Sequence, residues 1–318
     1  NYLIMLSILH NSMHNENYKF INYYLLQQKI VTNHFTNYII CEDTPITNEL
    51  IKISKGSFNQ GSTINSIYLA FDNELPTFSI FINEFYVSKY CITEYEYIDF
   101  VKDNGYINDN NWSYNGLLWK KENNILHPLY WFNNNNIWFR KHFNQIIKIG
   151  SNLPMCNISY YEAEAYCKWK NVRLIQESEY EYLATNHGTT LYPWGNNPIS
   201  NTLCNLNNSN NSNNSNNSNN SHNYCVNVDS YTNGNNIDDV SQLIGNVWEW
   251  CENVIYPYNG FIIDPIYREM SYPYFGQKKI CRGGCFCVDP YLIHSKYRNA
   301  QLPECRIQFI GFRVCKDI

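Results

Sequence analysis

After residue 50 the chain repeatedly alternates apolar and polar residues, then breaks at glycine. Ile51, Ile53 and Phe58 mark a half-buried strand that turns at Gly56. The stretch from Phe85 through Val87 to Cys91 predicts another strand. Thr93 and Glu96 form a capping box, and Tyr97, Phe100 and Val101 follow at helical spacing. The clearest helix runs from Ser159 to Trp169, with Ser159 as N-cap, Glu162 three residues on, and Ala163, Tyr166 and Cys167 on its inner face. A further helix starts near Gln176 and turns Tyr180 and Leu183 inward, and Leu191–Asn196 reads as a turn. Short strands are expected at 226–229, 245–250, 279–282 and 310–314. Residues 107–150 show no sustained period and predict a long irregular segment with a short hairpin. Few helices among many short strands imply an irregular α+β domain.

Two stretches lack this patterning. Residues 1–44 are rich in Asn and Tyr and read as an N-terminal extension, only partly helical. Within it, Tyr2–Leu9 is either the tail of a signal h-region or a short apolar segment. His10 and His14 have the i, i+4 spacing of a metal pair on a helix, but the weak patterning around them sets them aside. Residues 207–221 repeat Asn-Asn-Ser five times between Cys204 and Cys225. Such a tract buries no apolar surface and predicts a disordered loop thrown out from a packed domain, which loop-closure entropy tolerates.

Composition narrows the function. The 318 residues are 44% hydrophobic, enough for a sizeable core, and the net charge of −5 carries no basic block, which argues against nucleic acid as the main partner. No apolar run reaches the roughly 18 residues of a membrane span. Twelve cysteines, with Asn-X-Ser sequons at Asn111 and Asn157, suit an oxidising compartment, the secretory pathway or endoplasmic reticulum lumen.

The candidate chemistry clusters near the C-terminal end. Cys281, Cys285 and Cys287 flank the pair Gly283 and Gly284, followed by Tyr297-Arg298 and Gly311-Phe312-Arg313. In a strand, Cys285 and Cys287 share a face and are placed to clasp one soft Cu(I) ion, with Phe286 as a neighbouring wall. The same residues also read as buried small hydrophobes, or as disulfide partners of Cys281 or Cys305. His294 alone reads first as a structural residue. Glu177, Glu179 and Glu181 fall on different faces of their helix and read as surface and supporting groups rather than paired acid–base catalysts.

Taken in order, several motifs resemble one family: Gly56-Ser57-Phe58, Tyr90-Cys91-Ile92-Thr93, Ile158-Ser159-Tyr160 through Trp169, Glu177 through Tyr182, Tyr192-Pro193-Trp194-Gly195, Gly245-Asn246-Val247-Trp248-Glu249-Trp250, Arg282-Gly283-Gly284 and Gly311-Phe312-Arg313. Over roughly residues 45–318 the chain is similar to the formylglycine-generating enzyme (sulfatase-modifying factor) family. The resemblance implies a variant C-type-lectin-like fold with little regular secondary structure and a structural calcium ion. For active members it implies oxidation of a cysteine in a sulfatase-type polypeptide with O2 and copper. Those members bind copper through two cysteines at the positions held here by Val288 and Ile293, so Cys285 and Cys287 are the catalytic and copper candidates. It places calcium on the carbonyls of Gly245 and Val247, the carboxylate of Glu249 and the amide of Gln242. A second calcium site would begin at Asn205 and Leu206. It also pairs Cys167 with Cys315 as a long-range disulfide, with Cys315 one residue late. The alternative to an oxidase is a non-catalytic binding or regulatory module of the same fold. An iron-dependent sulfur oxidase is the least supported class, since no His-rich ligand set stands out.

Overall fold

The computed structural model describes residues 2–29, 37–40, 43–207 and 224–318. Among the described residues, four small sheets and five helices make a mixed α+β architecture, in which the first sheet brings the two ends of the domain together. Strands β1 (Leu50–Ile53), β4 (Phe85–Ser88), β13 (Val314–Asp317) and β8 (Arg173–Leu174) lie in that spatial order. A second sheet orders β11 (Asn299–Gln301), β10 (Lys279–Arg282), β9 (Trp248–Val254) and β12 (Ile310–Gly311). Strands β2 (Gly56–Gln60) and β3 (Phe78–Ile82) form an antiparallel pair.

The local signals for helices are realised where capping is complete. Thr93 accepts from Glu96 N at the start of α2 (Glu94–Lys102), and Ser159 accepts from Glu162 N at the start of α4 (Tyr160–Lys170), each in a reciprocal capping box. Helix α5 (Glu177–Ala184) buries Tyr180 and Leu183. Residues 107–150 are more regular than expected. They hold α3 (Tyr114–Glu122), capped by Ser113, and a three-stranded meander of β5 (Trp131–Asn134), β6 (Ile137–His142) and β7 (Gln145–Lys148). No strand forms at 226–229, where Asn246 bonds the backbone of Val226 from both ends of its amide.

The largest departure is at the N-terminus. Tyr2–Gln28 form one helix, α1, laid across the domain. Its buried residues Leu6, Leu9, Glu16, Phe20, Tyr23 and Gln27 recur at helical spacing and face one side. Tyr23 packs among Tyr130, Phe143, Tyr224 and Phe309. No described helix is long and apolar enough to cross a membrane. Apart from Asn207, the Asn/Ser tract lies outside the described residues.

The expected bridge between Cys167 and Cys315 is not formed, and both are free, buried thiols. Alternation along β13 explains this. Val314 joins the same core cluster as Cys167, whereas Cys315 faces a separate cluster with Val87, Ile175 and Tyr180. Arriving one residue late sends the sulfur to the other side of the sheet. Cys281, Cys285, Cys287 and Cys305 are also free. The sequon residues Asn111 and Asn157 are buried, and Asn157 donates its amide to the carbonyls of Ile307 and Gln308. Neither buried amide is open to a glycan in the folded chain.

Candidate functional site

The glycine pair turns the chain out of β10 with positive φ at both residues, and a Cβ on Gly283 would run into the Tyr180 hydroxyl. The turn brings Cys285 and Cys287 beneath α1. Cys285 is 0% exposed, and its Sγ donates to Glu16 Oε1 at 3.4 Å. The same oxygen accepts from Trp248 Nε1 at 2.7 Å, while Lys19 Nζ donates to the Cys287 carbonyl at 3.0 Å. Burial pushes the Cys285 thiol well above the ordinary range, and the neighbouring Cys287 thiol and Glu16 push the same way. Burial also raises Glu16, against the donors Trp248 and Cys285 and the Lys19 cation. The sequence-predicted pair is therefore adjacent but sealed, with the Cys285 sulfur held as a thiol. Val288 and Ile293 are buried apolar residues of the same core.

Several of the calcium candidates already accept hydrogen bonds from protein donors. Both Glu249 carboxylate oxygens face Arg313, accepting from Nε at 2.5 Å and Nη2 at 2.7 Å. Gln242 Oε1 accepts from Asn246 Nδ2 at 2.6 Å, and the Gly245 carbonyl accepts from Val247 N. At the second proposed site, the Asn205 carbonyl accepts from Asn246 N. A hard cation needs several free oxygens in one place. Here protein donors hold the Glu249 carboxylate, the Gln242 amide oxygen and the Gly245 carbonyl.

Glu177, Glu179 and Glu181 are not surface groups. Glu177 accepts from Arg282 Nη1 and from Arg298 Nε and Nη2, Glu181 accepts from Arg282 Nη2 and Gly61 N, and Glu179 is forked by Arg173. The partners of Glu177 and Glu181 lie far off in sequence and turn these charges into buried ties between α5 and the glycine turn. His294 is also buried, stacked on Tyr68 with ring centroids 3.6 Å apart, and its Nε2 lies 3.3 Å from Glu74. Burial holds His294 neutral and raises Glu74 to about 8.

A second feature of α1 was set aside on sequence grounds. His10 and His14 point their Nε2 atoms at each other, 2.7 Å apart, from half-buried and exposed positions. His10 packs edge-on against Tyr267, with ring centroids 5.2 Å apart. One turn further along the same face, Met13, Glu16 and Asn17 line a cavity of about 210 Å³ between α1 and the second sheet, closed by Tyr267, Tyr274 and Tyr297 among others. The 6, 9, 16, 20, 23 spacing of buried residues was the signal for this helix, and Ser12, Glu16 and Gln27 on its buried side concealed it. Among the described residues no cluster of three or more His, Cys, Asp or Glu side chains is arranged around a metal ion. The histidines thus supply two donors, not a closed site.

The family model of the sulfatase-modifying factor enzyme 1-like domain matches residues 40–318. The chain is 29% identical over 252 residues to hercynine oxygenase of Mycobacterium tuberculosis, covering 78% of this chain and 56% of that protein. It is 25% identical over 285 residues to formylglycine-generating enzyme of Streptomyces coelicolor, covering 84% and 88%. The chain therefore spans little more than half the length of the hercynine oxygenase that it matches. Among solved structures, PvdO from Pseudomonas aeruginosa overlays with a TM-score of 0.57 at 20% identity, covering 87% of this chain and 96% of that one. This last likeness bears on the fold alone.

Proposed function

The chain belongs to the sulfatase-modifying factor enzyme family, and from that premise we propose that it takes part in oxygenase chemistry at the cavity under α1, with His10 and His14 as two ligands of a divalent transition metal. The observation that carries this reading is the 2.7 Å approach of the two Nε2 atoms, with His10 packed against Tyr267, which lines a polar cavity. Two imidazole nitrogens bound side by side to one ion, each at about 2.1 Å, stand about 3 Å apart. Imidazole suits iron, copper, zinc and nickel, and a redox-active member of that set supplies O2 activation when bound. The likeness to proteins named hercynine oxygenase favours the same class and a small-molecule substrate.

The chain's own residues have distinct tasks in this reading. Tyr267 fixes the plane of His10, leaving Nε2 directed at His14. Buried contacts of Leu9, Glu16 and Phe20 hold α1 in place and so set the distance between the histidines and the cavity. Tyrosine rings and carboxamides line the space where a polar substrate would lie. Copper on Cys285 and Cys287, the chemistry of oxidase relatives, would require α1 to lift away and Cys285 to lose its proton.

Anaerobic loading with Fe(II), followed by metal analysis and O2 uptake in the presence of hercynine, tests the reading. About one ion per chain is expected, lost in His10→Ala and His14→Ala and retained in Cys285→Ser and Cys287→Ser. The opposite pattern, loss only in the cysteine variants, would return the chemistry to the thiols.

A further inference from the structure

The cavity wall holds one polar atom that the fold leaves unmet. Asn73 is 2% exposed, and its Oδ1 has no hydrogen-bond partner among the described residues. The side chain makes one polar contact: its Nδ2 donates to the Arg298 carbonyl at 3.5 Å, while the Asn73 backbone carbonyl accepts from Arg298 Nη1 at 2.5 Å. Arg298 is in turn fixed by Glu177, through Nε at 2.7 Å and Nη2 at 3.0 Å, and lies over the Tyr258 ring at 4.0 Å. A buried acceptor without a donor costs about 1–3 kcal/mol, so a fold that leaves one on a cavity-lining residue gains when a ligand supplies the donor.

The other polar groups of the wall narrow what that ligand is. Arg298 is neutralised by Glu177, and Glu16 is engaged by Trp248 and Cys285. Lys278 stacks its ammonium 3.5 Å from the Tyr274 ring centroid. What remains is the Glu269 carboxylate and the carboxamides of Asn17, Asn299, Gln301 and Gln308. Such a wall is rich in acceptors and suits a ligand that brings N–H donors.

We propose that Asn73 is a specificity-determining residue, its Oδ1 accepting a hydrogen bond from a neutral N–H of a polar, amino-acid-sized substrate in this cavity. This rests on the reading of the cavity as the substrate pocket. The selection is by complementarity: an analogue with the N–H blocked leaves Oδ1 unmet and brings a methyl group against it.

Calorimetric titration of the metal-free protein, prepared with chelator, tests the inference, with hercynine and its ring-N-methylated forms as probes. Wild type is expected to prefer hercynine by about tenfold or more, the equivalent of one lost buried hydrogen bond. Asn73→Leu is expected to abolish that preference while thermal stability and metal content stay in the wild-type range. Asn73→Asp, titrated at acidic pH where the buried carboxyl is protonated, keeps both a donor to the Arg298 carbonyl and an acceptor; it is expected to retain the preference and serves as the isosteric comparator. Equal preference in wild type and Asn73→Leu, or loss of preference in Asn73→Asp, overturns the assignment. Absence of hercynine binding to a protein that still takes up metal through His10 and His14 sinks the role of Asn73 and spares the metal centre. Selective binding without metal uptake does the reverse.

Discussion

Helix α1 borders two regions with opposite character. On one side, His10 and His14 share a hydrogen bond between their Nε2 atoms beside a cavity whose lining includes Asn73, with its orphan acceptor Oδ1. On the other, Glu16 and Lys19 close over Cys285 and Cys287, and behind these the carboxylates of Glu177 and Glu181 meet the Arg282 guanidinium. Nearly every polar group of the sealed side has a partner. Residue type alone favours the cysteines as metal ligands, because thiolate is the better soft donor. Burial reverses the ranking, since a thiol that stays protonated is neither a good ligand nor a nucleophile.

The contrast is broken most severely by emptying the sealed side of its cation. Arg282→Met leaves Glu181 buried and Glu177 with Arg298 alone, an expected loss of about 3–5 kcal/mol in urea unfolding. The folded fraction should still bind metal through the histidines. A loss of metal in proportion to the loss of paired charge would mean that the two regions are one site.

The next effect is read against pH. Glu74 is raised to about 8 in the folded chain by burial, above its unfolded value. The unfolded chain gives up this proton first, so the stability it contributes is full below the unfolded carboxylate pKa. That stability falls as pH rises from there through about 8. The expected decline is on the order of 2–4 kcal/mol, and Glu74→Gln should flatten it in unfolding curves taken at acidic and mildly alkaline pH. An unchanged slope in the variant would remove Glu74 as its source.

The smallest effect sharpens the boundary itself. Trp248→Phe deletes the 2.7 Å donor to Glu16, and a cost of about 1–3 kcal/mol is expected by thermal unfolding. Faster maleimide labelling of Cys285 should accompany it, because Glu16 is one of the groups that fasten α1 over the thiol. Labelling as slow as in the wild type would show that apolar contacts alone keep the lid shut.

Legibility in the sequence followed the range of the interactions. Thr93 with Glu96, and Ser159 with Glu162, are neighbours on the chain, so their helices could be read directly. The order of motifs pointed to the family that the profile match then showed. Helix α1 was hidden because its buried stripe includes Ser12, Glu16 and Gln27, whose partners or surroundings come from distant segments. Glu177 and Glu181 looked solvated for the same reason, their arginines lying more than 100 residues away. The Cys315 register was visible as a one-residue offset, but its consequence depended on which core cluster each side of β13 meets. Nothing local marks Asn73, whose surroundings come from Arg298, more than 200 residues away.

That contact has an evolutionary corollary. A single guanidinium links the carboxylate that anchors α5 to the backbone carbonyl of Asn73, the residue whose side chain would read a ligand. Replacing Glu177 or Arg298 would therefore blur ligand choice and weaken the scaffold together. New preferences in such a pocket would arise more readily at Asn17, Gln301 or Gln308, whose side chains stand outside this shared clamp.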